Sequence, residues 1–279
     1  MGQSLGWMRH GITAILGIAI LYPILWLVAS SVKSAPNIFS SLSLWPDPVH
    51  WANYVSGWLA ISGYSFGHFI WNSVVVAGLT VLGTVLSTSL AAYGFARFRF
   101  PLKGLWFAMM LASIMIPAEM IVIPQYLVFA KLGWINTYLP LIVPGWLASM
   151  NGGFFIFLIM QFIRGIPRDL DEAARIDGCG RFRFFVYILF PMLQPVLVTV
   201  GIFAFLWSWE NFLSPLLYLN SVGRYTIPLA LNLFRDSSNA TSWGPLFAMS
   251  FVSLVPLFVL FFIAQRYIIQ GIHTTGLTG

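Results

Sequence analysis

Apolar residues run along this chain in long stretches, broken by short polar segments. The alternation of a water-soluble domain is missing. A helix crossing a bilayer takes ~20 mainly apolar residues. Six stretches qualify, at about 12–32, 70–95, 105–130, 139–162, 184–206 and 246–267. The pattern predicts an all-α integral membrane protein with six transmembrane helices. Pro117, Pro124, Pro144, Pro195 and Pro256 fall inside these stretches. Neighbouring helices can satisfy the backbone groups such prolines free, and the prolines of the third span predict kinks there. The first stretch exceeds the ~7–15 apolar residues of a signal-peptide core, so it is expected to be a retained span.

The cations separate by loop. Arg9, Arg97, Arg99, Lys103, Arg164, Arg168, Arg175, Arg181, Arg183 and Arg266 fall on one side. Lys33, Lys131, Arg224 and Arg235 fall on the other. The positive-inside rule places the larger group, and both termini, in the cytoplasm. The outer segments 34–69, 131–138 and 207–245 are rich in interface-type aromatics such as Trp45, Trp51 and Trp58.

Composition narrows the function. Hydrophobic residues make up 59% and charged residues 8%, against roughly 45–50% and 25% in soluble domains. That excludes a soluble enzyme, a disordered chain and a nucleic-acid-binding domain, despite the net charge of +6. Cys179 is the sole cysteine, so neither an intrachain disulfide nor a cysteine metal site is expected. Residue 6 is Gly, not the Ser or Thr of a myristoylation signal. The four histidines (His10, His50, His68, His273) are scattered and form no convergent catalytic set. No phosphate-cradling G-x-x-x-x-G-K-[ST] is present.

The segment 163–185 concentrates charge: Asp169, Asp171, Glu172 and Asp177 lie among five arginines. After the break at Gly165-Ile166-Pro167, Asp169 is placed to cap a short helix. Glu172, three residues on, completes a capping-box spacing. Leu170, Ala173, Ala174 and Asp177 share one face, and Gly178 suits the left-handed helix end. Alone, this would be an ordinary surface helix. The wider spacing says more. Glu172-Ala173-Ala174, three residues, Gly178, nine residues, Ile188, one residue, then Phe190-Pro191 resembles the EAA loop of bacterial ABC importer permeases, with Phe190 where Leu is usual.

The resemblance continues through Ala91-Ala92-Tyr93-Gly94-Phe95-Ala96-Arg97, Trp209-Glu210-Asn211 and Gln265-Arg266 with Gly271-Ile272. These look like the carbohydrate-uptake, maltose-transporter MalG-like family, while the last six residues depart from its usual ending. The resemblance implies a single permease domain over 1–279, with core similarity over about 70–272. It implies a multi-pass protein of the bacterial cytoplasmic (inner) membrane that is not itself an enzyme. Its implied partners are a second, MalF-like permease, two copies of an ABC ATPase subunit and an extracytoplasmic solute-binding protein. The implied substrate is a carbohydrate. ATP and Mg would sit on the ATPase subunits, with no cofactor on this chain, and no nucleic acid is involved. The coupling helix between spans four and five would use Asp169, Leu170, Glu172, Ala173, Ala174, Asp177 and Gly178. Contacts to the binding protein would come from the outer loop, around Asn232, Phe234, Arg235 and Asp236.

Other polar residues carry two readings. Glu119 either lines a cavity and bonds sugar hydroxyls, or sits where a kinked span ends early. Trp209, Glu210 and Asn211 are substrate-path candidates at the outer end of span five, although Trp207 and Trp209 also suit interface anchors. Asn151-Gly152-Gly153 suits close helix packing. The alternative function is a self-sufficient secondary carrier for a small polar solute. Such carriers are typically built from inverted repeats, and none is visible here.

Overall fold

The computed structural model describes residues 2–40, 43–45, 48–61, 63–148, 151–235 and 242–273, side chains at 2–9, 12, 118 and 266–273 excepted. Asp236 and the divergent residues 274–279 lie outside the described residues.

In chain order the helices are α1 (Gly2–Ser31), α2 (Asn37–Ser40), α3 (Ala52–Leu59), α4 (Phe66–Arg97), α5 (Lys103–Ile114), α6 (Ala118–Lys131), α7 (Leu139–Trp146), α8 (Gly152–Arg164) and α9 (Asp169–Ile176). Then come α10 (Arg181–Phe184), a π-turn over Phe185–Leu189, α11 (Phe190–Met192), α12 (Gln194–Trp209), α13 (Leu213–Tyr218), α14 (Ile227–Asn232) and α15 (Trp243–His273). Among the described residues there is no strand, only one antiparallel bridge between Ile61 and Tyr64. The all-α expectation holds.

The six expected spans are not six straight helices. Three stretches, Thr13–Ser31, Phe66–Arg97 and Trp243–Gln265, are each long and apolar enough to cross a membrane unbroken. The third expected span breaks at Pro117 into α5 and α6, which meet at 103°. Pro117 has no N–H to continue the helix, and its backbone is extended (φ −59°, ψ 133°) where α6 begins. The amides of Met115 and Ile116 turn back onto Ala112 and Ser113 instead. The fifth bends by 78° before α12, where Pro191 and Pro195 bracket Leu193. The fourth divides into α7 and the 13-residue α8, with Ala148 left-handed at φ 51° between them.

The chain packs as two compact units. One comprises Met1–Ile70 with Leu229–Pro256. There the Asn53 side-chain amide donates to the carbonyls of Ser31 (3.0 Å) and Lys33 (2.8 Å), closing the end of α1. Trp26 meets Phe247 edge-on, and Phe39 meets Trp243 likewise. The outward face of α1 is apolar: Ile15, Ile18 and Ile20 are exposed. Such a surface is stable in lipid and an aggregation hazard in water.

The other unit comprises Trp71–Pro228 with Leu257–Gly279. Its core joins Ala92, Tyr93 and Ala96 of α4 to Phe155, Ile156, Ile159, Met160 and Ile163 of α8 and to Leu193, Val196, Leu197 and Val200 of α11–α12. The α8 set recurs at helical spacing, so one face of that helix is wholly internal. In lipid, association between helices rests on close packing and hydrogen bonds. Both operate where α4 crosses α7. Thr80 Oγ1 donates to the Leu141 carbonyl (3.3 Å), and Thr84 and Ser87 to that of Gly145 (3.4 and 3.3 Å). The Trp146 indole N–H returns a bond to the Leu79 carbonyl at 2.9 Å. Gly83 faces that indole so closely that a Cβ would overlap it. Gly153 likewise lies against the α5 backbone at Met110, as its small size suggested.

Gly83→Ala is therefore expected to destabilise the chain by about 1–3 kcal/mol, the usual range for overpacking. Thermal unfolding in detergent reads the loss. The cost should be smaller in a Trp146→Ala background, because the two residues share one contact.

Candidate functional site

Two surfaces of the second unit gather the polar residues singled out above. The first is the loop 165–180. Helix α9 carries Asp169, Asp171 and Glu172 in its first turn, where the helix dipole favours anions, and Arg175 in its last. The expected capping box is absent: Arg168 is the N-cap residue, helical at φ −73°, and no side chain caps the turn. Asp169 has entered the helix, so its carboxylate cannot reach back as a cap does. The other end forms as expected. Gly178 is left-handed at φ 76°. The Cys179 amide bonds the Ala174 carbonyl (2.8 Å) and the Gly178 amide that of Arg175 (3.1 Å), the double bond pattern of a Schellman end.

What holds α9 in place is a contact the linear spacing did not reveal. Arg97, in the last turn of α4, brings Nε to 3.1 Å from Asp171 Oδ2. The approach is off-axis for a hydrogen bond, so this is a Coulombic pair between buried atoms. The same guanidinium donates from Nη2 to the Ile166 carbonyl at 2.9 Å. One turn earlier, Tyr93 donates to the Arg181 carbonyl (3.3 Å) and stacks on Phe185 at 5.2 Å. The 91–97 motif thus clamps both ends of the loop to the long helix.

The clamp decides which side faces out. Ala174 is buried against the core, so its small side chain serves internal packing. Leu170, Glu172, Ala173 and Asp177 are exposed, as are Asp169 and Gly178. Ile176, 86% exposed, and Phe182 add apolar surface to a charged loop. Neither was singled out from the sequence, although an isoleucine within a charged surface helix is itself a signal.

The second surface is a cleft of about 370 Å³. Thr80 and Thr84 of α4 line it, with Pro144 and Gly145 of α7, Asn151 and Phe155 at α8, and Trp207, Ser208, Glu210 and Asn211 at the end of α12. Glu119, in the first turn of α6, lines it too. The proline break puts this acid at a helix start facing open space. Asn211 Oδ1 accepts the Ser214 amide (3.1 Å), capping α13, so part of its side chain is committed locally. Among the described residues two carboxylates and no cation line the cleft. The expectation for Trp209 needs correcting: it is 4% exposed, stacked on Phe205, and outside the lining. Its neighbour Trp207 forms the wall, packed against Phe155 at 5.2 Å.

In the first unit, Phe234 also departs from expectation. It is 5% exposed and set edge-on to Phe66, so it serves as core. Asn232 is half-buried and Arg235 exposed.

A helical membrane chain with a rigid charged loop at one site and a polar cleft at another has the makings of a permease. Residues 83–274 match the family described as binding-protein-dependent transport system inner membrane component. The chain is 36% identical over 262 residues to the probable ABC transporter permease protein YurM of Bacillus subtilis, covering 94% of this chain and 85% of that protein. It is 33% identical over 268 residues to the sn-glycerol-3-phosphate transport system permease protein UgpE of Brucella abortus, covering 94% of each. It is 30% identical over 281 residues to the arabinooligosaccharides transport system permease protein AraQ of Halalkalibacterium halodurans, covering 99% and 97%. Its fold matches the crystal structure of a bacterial ABC transporter involved in the import of the acidic polysaccharide alginate (TM-score 0.82, 17% identity, 95% of this chain and 97% of that one). The chain belongs to the family of binding-protein-dependent transport system inner membrane components.

Arg97→Gln is expected to loosen the loop without unfolding α4. Amide hydrogen exchange over 166–178 should rise severalfold while that over 75–90 stays unchanged.

Proposed function

We propose that this chain is a transmembrane permease subunit of an ATP-driven importer of carbohydrate in the bacterial cytoplasmic (inner) membrane. It forms the translocation path with a second permease, takes substrate from an extracytoplasmic solute-binding protein, and docks on a pair of ATPase subunits. ATP and Mg belong to those subunits, and this chain binds neither. The observation that carries the reading is the clamped helix α9. A short helix held to a 32-residue helix by a buried ion pair moves with it as one body. A push on Leu170, Glu172 or Ile176 is therefore passed to α4 with little lost to loop flexing. Such rigid-body motion is the common currency of alternating openings.

The cleft supports a neutral, hydroxyl-rich substrate. Exposed carboxylates at Glu119 and Glu210 accept hydrogen bonds from hydroxyls, and Trp207 offers an apolar wall. The same carboxylates, with no cation beside them in the lining, repel a phosphate or a uronate. This favours the oligosaccharide side of the family over the glycerol-phosphate side.

Two experiments test the proposal. Glu172→Lys should leave membrane insertion intact and abolish transport, by putting a cation where the partner expects a carboxylate. Transport at the normal level would refute the coupling assignment. Glu119→Gln and Glu210→Gln should each lower uptake of a neutral oligosaccharide by about tenfold, the worth of one charge-assisted hydrogen bond. Unchanged uptake in both would remove the cleft from the path.

A further inference from the structure

The second unit holds another concavity, of about 400 Å³, that the transport reading leaves unused. Arg97, Lys103, Arg164 and Arg168 line it around the backbone of 165–167, with no carboxylate in the lining among the described residues. Two of the cations are fixed in place. Arg97 is held by Asp171 and the Ile166 carbonyl. Lys103 donates to the Phe98 carbonyl at 2.9 Å and stands 5.9 Å from the Phe100 ring. Arg164 and Arg168 are exposed. Asp171 offsets one of these four charges, and the others repel one another unless an anion lies between them.

Three further features describe that anion. Lys103 opens α5, at the helix end whose dipole disfavours a cation. That end has no side-chain cap, so its amides also suit an anion. The turn before it is made by Leu102 at φ 56°, a left-handed conformation that costs a leucine energy. Beside the concavity, Leu102, Leu105 and Trp106 are each more than half exposed. A free ion has no need of that apolar flank, whereas acyl chains do. Basic pockets at the cytoplasmic ends of membrane helices suit anionic headgroups.

We propose that this concavity binds the phosphate of an anionic phospholipid of the cytoplasmic leaflet, with the acyl chains along Leu105 and Trp106. The test uses the full chain in nanodiscs of phosphatidylcholine, with and without phosphatidylglycerol, and native mass spectrometry of the lipid retained. Phosphatidylglycerol should be retained by the unaltered chain. Lys103→Gln with Arg164→Gln should weaken retention about 30-fold, at ~1 kcal/mol per cation. Arg168→Gln alone should weaken it less, and Arg183→Gln, outside the concavity, should not. Melting in phosphatidylcholine alone identifies any variant that has misfolded, and Arg168→Gln then carries the test. Equal loss with Arg183→Gln would overturn the proposal in favour of diffuse attraction. Equal stabilisation by inorganic phosphate would overturn the lipid source. Unchanged lipid retention with loss of a co-purifying ATPase would make the concavity a docking surface instead.

Discussion

The approach of two backbones at Gly83 and Gly145 governs the second unit. A membrane leaves no water to satisfy polar groups where a helix stops, so bonds between helices count for more there. Helix α4 supplies them: Thr80, Thr84 and Ser87 bond the Leu141 and Gly145 carbonyls of α7, the latter also held by the Ala148 amide, and the Trp146 indole bonds back. The bonds reach only because glycine stands at both contact points, where a Cβ would collide with Trp146 on one side and with Thr80 and Thr84 on the other. With α7 held, the chain is free to stop and restart as α8. The gap that results is lined by Asn151, Glu119 and Glu210. The cleft is a consequence of the break, and the break is affordable because of the hydroxyls on α4.

The same long helix controls the other end. Its last turns present Tyr93 and Arg97, and each holds part of the loop that bears α9. The path from the exposed residues of α9 to the threonines of the cleft runs through one continuous helix. An ion pair between buried atoms would be a poor investment for stability alone, because desolvation offsets most of its Coulombic gain. Under the proposed coupling role, its value lies in fixing the position of α9 against α4.

Much of this was legible in the sequence. The apolar runs identified the helical membrane class, and the positive φ at Gly178 was legible from its place after a short polar helix. The spacing around Glu172 marked the loop. What escaped depended on contacts between distant segments. Nothing local says that Asp171 meets Arg97, seventy-four positions earlier by numbering. The capping box failed because Arg168 took helical angles and drew Asp169 into the first turn. Trp209 was expected on the substrate path or as an interface anchor, and Phe234 against the binding protein, yet Phe205 and Phe66 pack on them. Prolines in the third span foretold a bend at Pro117. The break between α7 and α8 carries no proline of its own, and Pro144 within α7 was the available clue.

The most direct test of the coupling claim is a photo-cross-link from position 176 in native membranes, with the adduct identified by mass spectrometry. Ile176 is exposed and makes no part of the core, so a photoreactive residue there should leave the fold intact. The account predicts an adduct with an ATP-hydrolysing subunit, formed in a yield that changes when a non-hydrolysable nucleotide is added. Adducts confined to lipid or to a second copy of this chain, with transport still running, would contradict it and favour a carrier that works alone.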